Sequence, residues 1–174
     1  NPYHKSVLGV GYLGVGNYKG SINNKVTKVY QNWLNMLHRG YSQQYKEKHP
    51  TYKGTTVCEE WLNFQNFAKW HEENYIDGWA LDKDIICKDC KIYSPETCAF
   101  VPREINNIFT DKINGLLVGI RKRNTIFTVR IKINGKEVHI GSYSTQEEAI
   151  LNYCVVKEKT IKELANKHKD KLSL

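Results

Sequence analysis

The sequence predicts an α+β protein: an N-terminal helical region leading into a hairpin-helix unit, followed by a small three-stranded antiparallel sheet packed on one helix. Three observations point there. Two stretches within the first 75 residues repeat apolar side chains at helical spacing. Strand-like runs bounded by turn signals fill 78–102 and 116–143, and a helix with a clear capping residue follows the last of them. A chain of 174 residues with 40% hydrophobic and 11% aromatic composition can build one medium core or two small ones.

The opening segment, "VLGVGYLGVGNYKGSINNK", alternates glycine with Val, Leu and Tyr, which suits short strands or an irregular hairpin. From Val26 to Tyr41, Val29, Trp33, Leu34, Met36 and Leu37 recur at helical spacing, with Gly40 near the end of the helix. His38 and Arg39 fall on its polar side. After a polar loop containing Pro50, the run "VCEEWLNFQNFAKWHEENY" is again helical, and Trp61, Phe64, Phe67 and Ala68 read as core packing rather than a base-stacking platform. The stretch "GWALDKDIICKDCKIYSPETCAFVP" reads as two extended runs around a polar turn, and Pro102 stands at a favoured first helical position for "PREINNIFTDK".

A domain boundary is expected near Lys112 to Leu116, giving domains 1–112 and 113–174. Beyond it, "GLLVGIRK", "TIFTVRIKI" and "KEVHIGSY" read as three strands, the last two joined by the hairpin signal Asn134-Gly135. Ser144 or Thr145 caps the following helix, with Glu147 and Glu148 placed favourably against the positive end of its dipole.

The formal charge is +8, of which residues 113–174 supply +6. Six basic residues and no acidic one lie between Ile113 and Lys136. A balance of that sign favours a polyanionic partner through counterion release. No stretch approaches the roughly 18 apolar residues of a membrane helix, and no signal sequence opens the chain, so an intracellular, soluble protein without a small-molecule cofactor is expected. The cysteines are Cys58, Cys87, Cys90, Cys98 and Cys154. Their odd number points to reduced thiols rather than a disulfide framework. Cys87-x-x-Cys90 has zinc-like spacing, but no second such pair follows, and structural zinc ranks below plain thiols.

Alternation along the second strand of the C-terminal part puts Phe127, Val129, Ile131 and Ile133 on one face and Thr128, Arg130 and Lys132 on the other. Arg121 and Arg123 alternate likewise. A sheet with one cationic face suits a reader of duplex DNA, where Arg bonds guanine edges and Lys anchors phosphates. The pieces "VGIRKR" and "FTVRIKINGKEVHIGSYSTQEEAILNY" make residues 116–156 resemble the plant ethylene-response-factor type of DNA-binding domain, which also occurs in phage and mobile nucleases. The resemblance implies that Arg121, Arg123, Arg130, Lys132 and His139 contact bases and phosphates. His139 replaces the family's usual tryptophan and Arg130 a family glutamate, so groove binding carries over but base preference does not.

The run "LDKDIICKDCKIYSPETCAFVPREIN" resembles the HNH, or ββα-metal, nuclease motif of phage and homing endonucleases, which would occupy about 78–112. In that motif a strand ends in an Asp-His pair and a helix supplies an Asn or His to a divalent-metal site. The resemblance places Asp82 and Asn106 as ligands of Mg²⁺ or Mn²⁺, whose task is to clamp a phosphate while a base activates water. Lys83 stands where the histidine is expected, and a lysine of ordinary pKa is a poor base. It could instead neutralise transition-state charge; Asp84 could ligate metal or activate water, and His71 or His38 could reach the site from the preceding helices.

The leading expectation is a phage-type or mobile-element endonuclease, encoded by a phage and acting in a bacterial cytoplasm. Its N-terminal part cuts double-stranded DNA that the C-terminal module positions. Lys19, Lys25, Lys28, Arg39 and Arg103 are expected phosphate contacts. The alternative is a DNA-binding protein of the same ancestry that has lost cleavage, with Lys83 as its support. A protein-interaction module with a basic surface ranks third.

Overall fold

The computed structural model describes residues 1–171 apart from 88, 89, 109–111, 114, 115, 118 and 134. The protein is α+β and divides into two compact units, Asn1–Val101 and Pro102–Leu174. Among the described residues no helix is long and apolar enough to cross a membrane.

The glycine-rich start forms an isolated bridge, Val7 to Gly11, and then the hairpin β1 (Ser21–Ile22) and β2 (Lys25–Val26). Asn23 and Asn24 both take positive φ, 50° and 59°, the conformation a two-residue type I′ turn demands. Helix α1 (Lys28–Tyr41) starts at Thr27, whose side chain accepts from the Tyr30 amide. It buries Trp33, Met36, Leu37 and Gly40. Helix α2 (Gln43–Lys48), a 3₁₀ turn at Pro50–Tyr52 and the short strand β3 (Thr56–Val57) follow.

The single helix expected next is two, α3 (Glu59–Leu62) and α4 (Phe64–Asn74). The break has a tertiary cause. The backbone of Tyr12 inserts there, donating to the Leu62 carbonyl and accepting from the Phe64 amide, both at 2.9 Å. Asn63 then caps α4 through a 3.0 Å bond from the Gln65 amide. Trp33, Trp61, Phe64 and Phe67 are at most 1% exposed and form an aromatic core, which the Trp33 indole closes by donating to the Trp61 carbonyl at 2.7 Å. Burying each ring is worth a few kcal/mol, about 1.5–3 on the area scale.

The two extended runs expected around one turn are three strands. β4 (Trp79–Asp82) is joined to β6 (Ala99–Pro102), while β5 (Ile92–Tyr93) pairs in parallel with β3. Pro102 ends β6, and α5 (Arg103–Ile108) begins one residue later than expected.

In the C-terminal unit α5 packs on a later helix through Ile105 and Leu164. A small hairpin, β7 (Lys112–Ile113) and β8 (Leu116–Leu117), precedes the main sheet. The expected boundary, Lys112 to Leu116, includes residues outside those described. The three-stranded antiparallel sheet has the order β11-β10-β9, from β9 (Ile120–Arg123), β10 (Ile126–Ile133) and β11 (Lys136–Tyr143). Asn134 of the expected turn lies outside the described residues; Gly135 has φ +79°. Helix α6 (Gln146–Lys167) is capped by Thr145, whose side chain accepts from the Glu148 amide at 3.2 Å. Ile120, Phe127 and Val129 pack against Ala149 and Tyr153, so the apolar side of the sheet meets the helix as strand alternation requires.

Candidate functional site

Two places gather the chemistry, one in each unit. In the C-terminal unit the outward face of the sheet is built by register. Thr128 opposes Arg121 and Ser142, Arg130 opposes His139, and Lys132 opposes Glu137. A register shift between Val129 and Arg130 moves β11 from Gly141 to His139. That bulge brings His139 onto the same face as Ser142, which strict alternation over an odd separation forbids. Arg121, Arg123, Lys132 and His139 are exposed and Arg130 half-buried. The face therefore carries all five residues expected to meet DNA.

Glu137, not singled out by the sequence, sits among them. Its two oxygens take Arg121 Nη2 at 3.1 Å and Arg130 Nη1 at 2.8 Å. The bond from Arg130, with the Arg121 charge beside it, holds this carboxyl below the usual carboxylate range. Glu137 thus fixes two guanidinium groups in one orientation. The register through the Asn134-Gly135 turn was the available signal, because it sets Glu137 opposite Lys132. His139 Nε2 lies 3.5 Å from Ser142 Oγ.

In the N-terminal unit, Asp82 ends β4. Its Oδ1 accepts from the amides of Asp84 at 2.9 Å and Ile85 at 2.8 Å, a turn that locks the carboxylate in place. Among the described residues Oδ2 has no hydrogen-bond partner. Lys83 is 4% exposed; its Nζ donates to Asp84 Oδ1 at 2.5 Å and to the Cys90 carbonyl at 2.8 Å. Asp84 is exposed. Asn106, on α5, belongs to the C-terminal unit and is half-buried.

The thiols expected at Cys87 and Cys90 are joined as a disulfide, their Cα atoms 5.5 Å apart, within the span such a bond bridges. Cys58, Cys98 and Cys154 are free, and burial pushes the Cys98 thiol up to about 12. Among the described residues no three His, Cys, Asp or Glu side chains converge as a metal cage. The donor set among the described residues is one carboxylate with a free oxygen, Asp82, and a second, exposed one, Asp84. That fits an ion of Mg²⁺ type, which keeps most of its waters and takes phosphate oxygens, and does not fit a protein-caged zinc.

His71, expected as a reserve base, is a core residue. It is 5% exposed, its ring is stacked on Tyr75, and its Nε2 accepts from Asn32 Nδ2 at 3.0 Å. Burial first, then the Lys28 charge, lowers its pKa to about 4. His38 is exposed.

Arg39, near the end of α1, is half-buried. It donates from Nη1 to the Tyr93 hydroxyl at 3.4 Å and stands 5.6 Å from the centre of the Tyr52 ring. No local pattern in the sequence links Tyr52 or Tyr93 to it, since the three come from a helix, a turn and a strand. No protein-family model, curated protein or solved structure matches this chain.

Proposed function

We propose that the protein is a metal-dependent DNA endonuclease of phage or mobile-element kind, whose N-terminal unit cuts and whose C-terminal unit holds the duplex. The observation that carries the reading is the three-stranded sheet. Its inner face is sealed on α6 while its outer face presents Arg121, Arg123, Arg130, Lys132 and His139. A strand surface of this width and charge suits a DNA groove, with guanidinium groups on base edges and the lysine on phosphate.

For cleavage, Asp82 is the anchor. Its turn restrains one oxygen and leaves the other for a divalent cation. Bound there, Mg²⁺ or Mn²⁺ supplies Lewis-acid stabilisation of a phosphate. Asp84 offers an exposed carboxylate to orient water. Lys83 ties the Asp84 side chain to the Cys90 backbone and so organises the loop.

Binding without cleavage is a second reading, and one observation favours it: the Lys83 amine at the histidine position is already committed to two acceptors. A plasmid-nicking assay with Mg²⁺ or Mn²⁺ on wild type, Asp82→Ala and Asn106→Ala separates the two. Nicking by wild type and its loss in Asp82→Ala support the enzyme. Wild-type binding with no nicking under either ion selects the second reading. The double variant Arg121→Ala, Arg130→Ala is expected to weaken duplex binding and flatten its salt dependence, and unchanged affinity would overturn the DNA-binding face.

A further inference from the structure

A half-buried guanidinium is expensive to leave without an anion, because a desolvated charge needs a partner. Among the described residues no carboxylate lies within ion-pair distance of Arg39. Its neighbours are phenols instead: Tyr93, Tyr52 and Tyr45. Tyr93 is 2% exposed and its hydroxyl accepts from Arg39. That hydroxyl still has a proton to give, and among the described residues no acceptor takes it. The Tyr52 hydroxyl has no hydrogen-bond partner among them either.

A fixed cation beside two uncommitted O–H donors is the complement of a tetrahedral oxyanion, which a planar guanidinium meets with two parallel N–H bonds.

We infer that Arg39, Tyr52 and Tyr93 form a phosphate-binding site for a phosphodiester of the DNA backbone. The inference deepens the nuclease reading by naming what holds the phosphate, yet it stands on contacts independent of cleavage.

The test is a titration of the full chain with inorganic phosphate and, separately, with a duplex oligonucleotide, following the Arg39 Nε–H resonance by NMR. Both ligands are expected to shift it, the duplex competing with phosphate. Arg39→Gln should weaken phosphate binding about tenfold or more, and Arg39→Lys less, because it keeps the charge but loses the fork. Tyr52→Phe should weaken it several-fold.

An Arg39 resonance that phosphate does not move overturns the site whatever the variants do. Movement by phosphate but not by duplex overturns the assignment to DNA. Asp82→Ala is expected to keep phosphate binding. Lost nicking with retained binding therefore bears on the metal reading alone, and lost binding with retained nicking on this site alone.

Discussion

Two residues show how much a single position decides. Gly119 has φ +105°, and its carbonyl accepts from the Arg130 amide at 2.7 Å. A β-carbon there would collide with the Arg130 carbonyl oxygen and come within 3.0 Å of the Tyr153 ring. Gly119→Ala is therefore expected to cost about 2–4 kcal/mol, through backbone strain and overpacking together, read by urea unfolding. His71 is the other case. Its folded pKa of about 4 lies below the ordinary value of 6.5, so its contribution is complete above pH 6.5 and drains away as pH falls towards 4. Between pH 7 and 5 the loss is about 2 kcal/mol, measured as a shift in the denaturation midpoint, and His71→Gln should remove that component.

Among the elements, helix α6 follows local rules and the α3–α4 pair does not. Thr145 at the start of α6 satisfies the Glu148 amide, as a hydroxyl before an acidic first turn leads one to expect. Thr145→Ala is expected to lower stability by about 1 kcal/mol, visible as a drop in thermal midpoint without loss of the sheet. The break at Asn63 was not legible. Its residues keep helical periodicity on both sides, and what parts them is the backbone of Tyr12, some fifty positions earlier in the chain. The split of β5 from β6 has the same origin, since Ile92 and Tyr93 find their partners in Thr56 and Val57. Strand character is local; the choice of neighbour is not.

For the whole molecule, charge was readable as an amount and a location along the chain, but its pairing was not. If the sheet face binds duplex as proposed, four cations on it, Arg121, Arg123, Arg130 and Lys132, each neutralising one phosphate, would give a log–log salt slope of about −3 to −4. Glu137 occupies two of them and should reduce that figure. Glu137→Gln is expected to tighten binding to random-sequence duplex, steepen the slope by up to about one, and narrow the preference among sequences, all measurable by fluorescence anisotropy across a salt series. Unchanged affinity and slope would mean that the glutamate lets go of both arginines on binding.

The C-terminal sheet, its apolar and basic faces and its capped helix were contained in the sequence, because alternation, turn residues and capping act over a few positions. So was the position of Asp82 at a strand end. Tertiary structure alone decided what each charged group meets: Lys83 held between Asp84 and the Cys90 backbone, His71 sealed into an aromatic core, Glu137 bridging two arginines, and Arg39 ringed by tyrosines. Those contacts join residues brought together by packing, where burial and geometry, rather than residue type, set what a side chain can do.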